Sequence, residues 1–334
     1  MTVRIGVIGT GFMGRTWTEV ATNHVDDAQV VAVTGGSRAG TLAGDYGVAT
    51  EPSPAALLAR PDIDLVVVAT QPDSHEQYVV AAGNAGKHVL VEKPMTTSVA
   101  AADAMVAATE GRGLVLAVCS QHRFRASPVA ALDLIRRGEI GDVRMVRAQG
   151  VITQDEEAYP DNAPWYDMGS HVIDVLRAIV DSPATTAFGR QVDFDPGRLP
   201  AHKSTLAVYG FASGAMAQVW ISYELPAPGL GSMMNFLITG STGMIRLDSY
   251  GKVELGRGDG WTVAFEQPPF DPNNANDPVR LRAYADELRD VIHAMQTGTK
   301  PLVNGRWGRD GVAMLDAVRI SSERSETVSL PLEG

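Results

Sequence analysis

The chain contains a single cysteine, Cys119, among 334 residues. One thiol excludes an internal disulfide and any zinc cluster built on cysteine. Free cysteine is among the most buried residue types, so Cys119, just after the apolar run Leu114–Val118, reads as a core residue rather than a nucleophile. Excess basic charge is also missing. The net charge is −11 and the pI is near 5.1, whereas nucleic-acid binding needs a basic footprint. No apolar run reaches the roughly 18 residues that a membrane-spanning helix requires. The first residues, MTVRIGVIGTG, enter a strand pattern directly, without the basic and apolar regions of a signal peptide. These absences lead to the expectation of a cytoplasmic protein with neither nucleic acid nor membrane as partner, acting on small molecules. Lysine is scarce too, with five residues (Lys87, Lys93, Lys203, Lys252, Lys300) among 28 basic side chains. Arginine stays charged, so each lysine is a candidate for chemistry that arginine cannot perform.

What is present is an ordinary globular composition, 45% hydrophobic and 20% charged, in a chain long enough for about two domains. The first 120 or so residues alternate short apolar runs (Arg4–Ile8, Val30–Val33, Leu65–Ala69, His88–Val91, Leu114–Val118) with helix-compatible stretches such as Ser74–Asn84 and Thr97–Thr109. Near-continuous apolar strands separated by helices predict an α/β, doubly wound parallel sheet. After Gln121 the rhythm changes. A helix over Pro128–Arg137 precedes longer strands at Val143–Thr153, Ser204–Phe211, Ala215–Tyr223, Asn235–Thr239 and Met244–Leu247. The short Gly/Ser turns between several of them imply antiparallel pairing. Two further helices, Val279–Gln296 and Arg309–Ser322, carry apolar residues at helical spacing and read as packing helices. Pro268–Pro278 between sheet and helices reads as an exposed loop. The expected division is a dinucleotide-binding domain over 1–121 and an α+β domain with a large, mainly antiparallel sheet over 122–334.

The segment Gly9-Thr10-Gly11-Phe12-Met13-Gly14 has the G-x-G-x-x-G spacing directly after an apolar strand. Gly9 permits the tight turn, Gly11 lets backbone approach a pyrophosphate, and Gly14 allows close helix–strand packing. The second strand ends in Gly35-Gly36-Ser37-Arg38, where an NAD-specific domain usually carries an acid for the ribose 2′-hydroxyl. Ser37 and Arg38 suit a 2′-phosphate instead, which favours NADP(H) slightly over NAD(H). Thr70-Gln71-Pro72 follows the third apolar strand at its carboxyl end, the edge at which ligands sit, and His75 opens the next helix as a further cofactor candidate beside a capping or packing role. Glu92-Lys93-Pro94 follows the fourth. A strand-end lysine is aimed at the nicotinamide edge and can donate to a substrate oxygen, and partial burial would lower its pKa toward the working range. Glu92 either positions it or binds a ribose hydroxyl.

Together Gly9-x-Gly11-x-x-Gly14 and Glu92-Lys93-Pro94, with Arg123-Phe124, the stretch 134–142 and the stretch 238–248, resemble the Gfo/Idh/MocA family of oxidoreductases, which includes glucose–fructose oxidoreductase and inositol dehydrogenase. The resemblance spans almost the whole chain. It implies a catalytic group of one lysine with an aspartate and a histidine spaced D-x-x-x-H, here Lys93, Asp167 and His171, the pair leading into the helical run Val172–Val180. Residues four apart on a helix share a face, so Asp167 and His171 can point at one bound molecule. The resemblance further implies His171 as general acid/base, Asp167 orienting it or the substrate, and Lys93 supporting the reacting oxygen. Where many members have a Gly-rich turn before the pair, this chain has Tyr159-Pro-Asp-Asn-Ala-Pro-Trp165-Tyr166. Asn162, Trp165 and Tyr166, with Arg123, are therefore expected to meet a sugar, inositol or related polyol. Two rivals stand beside a dehydrogenase/reductase: a glycoside hydrolase working by transient oxidation with retained NAD, and a non-catalytic NAD(P)-binding sensor. A homodimer or homotetramer is expected through an apolar outer face of the second sheet, carried by Val208, Met216, Val219 and Ile221.

Overall fold

In a computed structural model, residues 2–153, 164–194 and 204–333 are described. The first unit comprises β1 (Val3–Ile8), α1 (Phe12–Asn23), β2 (Ala28–Thr34), α2 (Ala39–Tyr46), β3 (Ala49–Thr50), α3 (Pro54–Leu58), β4 (Leu65–Val68), α4 (His75–Asn84), β5 (His88–Val91), α5 (Val99–Ala108) and β6 (Leu116–Val118). Its six strands lie in the order β3-β2-β1-β4-β5-β6, all parallel. Valine and leucine fill both faces of the central strands, as burial by helices on both sides requires. The order reverses between β1 and β4, so the carboxyl ends of those strands form the edge where such sheets bind ligands.

The second unit begins at His122. It contains α6 (Ala126–Arg136), β7 (Val143–Thr153), α7 (Pro164–Val180), β8 (Ala184–Val192), β9 (Ser204–Phe211), β10 (Met216–Leu225), β11 (Met234–Gly240), β12 (Met244–Asp248), β13 (Lys252–Arg257) and β14 (Gly260–Glu266). With β15 (Val328–Ser329) these strands make one sheet, ordered β14-β13-β12-β11-β7-β10-β9-β8-β15. All neighbours are antiparallel except β7 and β10. One sheet face packs on α7 through Val172, Val175, Leu176 and Ile179, which join Val146, Val219, Ile221 and Phe236 in a single core. This corrects two residues expected on the outer face. Val219 and Ile221 alternate inward, whereas Val208 and Met216 are exposed beside Leu206, Trp220 and Phe188.

The expected second domain of 122–334 is interrupted. Residues Phe270–Val312 belong with the first unit, and the chain rejoins the second at Ala313. The cause is the apolar stripe of α8 (Pro278–Thr297). Leu281, Leu288, Val291 and Ile292 are buried in the same cluster as Val20, Leu65 and Leu90, and Tyr284 meets the Trp17 ring edge-on at 5.3 Å. Ahead of α9 (Gly305–Arg324), the Val303 carbonyl accepts the Val118 amide at 2.9 Å, on the β6 edge of the sheet. No helix among the described residues is long and apolar enough to cross a membrane.

Candidate active site

In the first unit the Gly-rich turn is clamped by backbone. The Gly9 amide donates to the Thr34 carbonyl at 2.9 Å, and the Thr10 hydroxyl donates to the Gly35 carbonyl at 2.5 Å. Gly9 has φ +104°, and a Cβ there would overlap the Ala69 carbonyl; a Cβ on Gly14 would overlap the Gly9 carbonyl. Neither position admits another residue without moving backbone. Helix α1 then starts at Phe12 with no side-chain cap and no acidic residue in its first turn. Its leading amides and positive dipole end are left for an anion. Phe12 is exposed and Met13 half-buried. Ser37 and Arg38 are exposed, and an Arg38 guanidinium nitrogen lies 3.7 Å from where a Gly11 Cβ would stand. A cation thus overhangs the turn.

Thr70, Gln71 and Pro72 line the end of β4, where Ser74 donates to both the Thr70 hydroxyl and the Gln71 carbonyl. His75 is turned into the protein. It is wholly buried, with Nε2 3.0 Å from the Thr70 carbonyl and Nδ1 3.1 Å from that of Pro94, so it ties the turn after β4 to the turn after β5. Burial pushes its pKa down, against the opposite pull of those carbonyls and of Glu92. The sign follows directly. A histidine held neutral in the fold but free to protonate when unfolded contributes stability that is full above its ordinary pKa and lost as pH falls below it. Stability is therefore expected to fall from about pH 7 toward pH 5, at up to about 1.4 kcal/mol per pH unit from this one group. Denaturant unfolding of wild type and His75→Gln across that range checks it, with a shallower slope expected in the variant.

Glu92 is buried as well. Its carboxylate accepts the Trp17 indole N–H at 2.7 Å and the Lys93 amide at 3.1 Å. It is turned into the protein, in a place to position Lys93 rather than to hold a ribose. Lys93 itself is half-buried at the end of β5. Cys119 is buried, and desolvation with Glu287 and Glu92 nearby pushes its thiol well up, which removes it as a nucleophile.

In the second unit α7 begins at Pro164, eight residues before the expected helical run, so Asp167 and His171 both lie within it, one turn apart. Tyr223, on β10, donates its hydroxyl to Asp167 Oδ2 at 2.7 Å. His171 is buried, and the His122 ring meets it edge-on with centroids 4.8 Å apart. His122 in turn meets Tyr250, whose hydroxyl is 3.5 Å from His122 Nε2, and the Arg125 guanidinium stacks 4.5 Å above the Tyr250 ring. Asp167 with Tyr223, and His171 with His122 and Tyr250, thus form two polar groups one turn apart on α7, in which only Asp167 and His171 carry a sequence signal. Tyr223 sits in a period-2 strand pattern that gives no reason to single out a hydroxyl. His122 stands beside the noted Arg123-Phe124 but has no spacing of its own.

Three residues expected at the substrate are placed otherwise. Trp165 is 0% exposed, with its indole N–H on the Leu315 carbonyl at 2.9 Å, so neither ring face is open to a sugar. Tyr166 is half-buried against the core, its hydroxyl pushed up to about 12 by burial, with Arg319 among its neighbours. Arg123 is buried and pairs with Asp174 of α7 at 3.5 Å, which braces the helix bearing His171. The helical periodicity of α7 explains the Trp165 result, because the residue falls on the stripe that faces the sheet. Asn162 lies outside the described residues.

Comparison with known proteins agrees with this arrangement. Residues 3–120 match the model of the GFO/IDH/MocA oxidoreductase family, NAD-binding Rossmann fold, and residues 129–246 match the family's C-terminal domain. Inositol 2-dehydrogenase 3 of Saccharopolyspora erythraea is 35% identical over 190 residues, which span only 56% of either chain. Inositol 2-dehydrogenase of Rhizobium meliloti is 27% identical over 99% of this chain and 100% of its own. The crystal structure of an oxidoreductase from Agrobacterium radiobacter in complex with NAD+, L-tartaric acid and magnesium superposes with a TM-score of 0.88, at 22% identity and 98% coverage of both chains. With both of its domains matched, the chain belongs to the Gfo/Idh/MocA family of NAD-binding oxidoreductases.

Proposed function

We propose that this protein is an NAD(P)-dependent dehydrogenase that moves a hydride between the nicotinamide and a hydroxyl-bearing carbon of an inositol, sugar or related polyol. The observation that carries the reading is the Asp167–His171 pair, one turn apart on α7, with the Asp167 carboxylate fixed by Tyr223. The glycine turn and the open start of α1 fit a dinucleotide pyrophosphate, and the bound nicotinamide supplies the hydride acceptor. His171 takes the hydroxyl proton in oxidation and returns it in reduction. Asp167, oriented by Tyr223, holds a substrate hydroxyl or the imidazole. Lys93 donates to the reacting oxygen, and Glu92, anchored on Trp17, holds its backbone at the end of β5. Inositols are the first substrates to try, because the relatives named above are inositol 2-dehydrogenases. Screening inositols, aldoses and their keto forms with both nucleotides tests the reading; reduced nicotinamide should accumulate with at least one alcohol. No turnover with any of them would reject it. The reading places the protein in the cytoplasm, with its nicotinamide pool.

The exposed Arg38 beside Gly11, with no acid at the end of β2, favours NADP(H) over NAD(H). Titration should show tighter binding of NADPH than of NADH. Arg38→Ala should weaken NADPH about tenfold and leave NADH nearly unchanged, a loss of about 1.4 kcal/mol. Equal losses for the two nucleotides would place Arg38 on the adenine instead.

The outer face of the large sheet supports self-association. Phe188 pairs with Val208 and Leu206 with Trp220 across neighbouring strands, and all four are exposed together with Met216. A contiguous apolar patch of this kind marks an interface in a soluble protein. Light scattering should return a dimer or tetramer; a species near 35.5 kDa alone would contradict this.

A further inference from the structure

Arg280 breaks local rules for placing charge. It lies in the first turn of α8, a positive dipole end that disfavours cations, and its side chain reaches the first turns of α1, a second such end. The residue is 2% exposed. Its guanidinium donates to the Thr16 hydroxyl at 3.1 Å, approaches the Ala275 carbonyl at 3.4 Å and Met13 Sδ at 3.9 Å, and lies 4.8 Å over the Phe12 ring and 5.0 Å over that of Tyr284. Thr16 donates in turn to the Phe12 carbonyl at the start of α1. Among the described residues Arg280 forms no ion pair. Asp277 feels its charge, but that carboxylate is occupied with the amides of Val279, Arg280 and Asp271.

A buried guanidinium cannot deprotonate, and without a counter-ion it is costly; stacking on two rings recovers only part of that cost. We propose that Arg280 is a cofactor-binding residue whose counter-charge is the dinucleotide pyrophosphate at the N-terminus of α1. The inference rests on the dinucleotide-binding reading above and extends it to a residue contributed by the returning segment Phe270–Val312. Asp277 already caps α8, whereas the start of α1 has neither cap nor acid, so the uncapped end of α1 and the permanent cation beside it are the pair that an anion would satisfy together. Phe12 and Met13, whose amides open α1, are the residues that Arg280 covers.

The test compares NAD+, ADP-ribose and adenosine by calorimetric titration of wild type, Arg280→Met and Arg280→Lys, alongside the melting temperature of each ligand-free protein. The Met variant should weaken NAD+ and ADP-ribose tenfold or more, with the Lys variant between, and leave adenosine within about twofold. Its ligand-free melting temperature should be unchanged or higher, since an unpaired buried charge has been removed. A purely structural Arg280 would instead lower the melting temperature and leave the Kd of ADP-ribose unchanged, which overturns the proposal. If the Met variant does not fold, Arg280→Gln, which can still donate to Thr16, carries the same comparison. Failure of wild type to bind NAD+ or NADP+ would reject the dinucleotide reading together with this one. Normal wild-type binding with an unaltered variant would reject the role of Arg280 alone.

Discussion

His171→Ala is expected to lower kcat by about 10²–10⁴-fold, the range for loss of a positioned acid/base, with cofactor affinity nearly unchanged. The separation of the two effects follows from the fold. His171 belongs to the second unit, on α7, while the glycine turn and the open start of α1 belong to the first. Its ring is held by the edge-on contact with His122, and Asp167, one turn earlier, is held by Tyr223. Removing the imidazole leaves both neighbours in place, so the loss falls on the proton transfer itself. Steady-state kinetics on the true substrate, with nucleotide titration of the same preparation, reads both quantities. Near-normal turnover in the variant would remove His171 from the mechanism, whatever happens to the melting temperature.

Lys93→Met carries the second large effect, an expected fall in kcat of about 10²-fold or more for loss of a donor to the reacting oxygen. Methionine keeps the length and apolar character of the stem. The Lys93 amide and the Trp17 indole N–H can both still donate to the Glu92 carboxylate, so the end of β5 keeps its path. Lys93→Arg should not restore activity, since the guanidinium is larger and keeps its proton. If Lys93 only braced the fold, Met and Arg would differ in stability rather than in kcat. The scarcity of lysine sharpens the case, because a chain that uses arginine for most of its cations has kept a lysine here.

The parallel sheet was legible because each of its strands is a short, fully apolar run between helical stretches, and the glycine turn because its spacing falls directly after such a run. The antiparallel sheet was harder to read. Strand β8, Ala184–Val192, alternates weakly and contains Gly189, while β13 and β14 are short and polar on their outward faces, so all three escape a reading based on apolar runs. Helix α8 was legible as a helix but its partner was not. Periodicity shows that Leu281, Leu288 and Ile292 need a core, and nothing local says that the core belongs to a sheet some 200 residues earlier in the chain. The same limit applies at the candidate site. Asp167 and His171 are linked by a spacing, whereas Tyr223 reaches Asp167 only because β10 lies beside α7 in the folded chain. Trp165 illustrates the converse error, since an aromatic next to a functional motif is as well suited to the core as to a sugar. His75 is the contrary case, since of the two roles open to it the packing role is the one its buried ring fills, between the carbonyls of Thr70 and Pro94.

The most direct test of hydride transfer uses an alcohol from the substrate screen, deuterated at its carbinol carbon, with NAD+ or NADP+ and the wild-type protein. The account predicts that the reduced nucleotide recovered carries one deuterium at C4 of the nicotinamide, with the alcohol converted to its ketone or lactone. Reduced nucleotide without the label, or ketone formed with no reduced nucleotide, would contradict it.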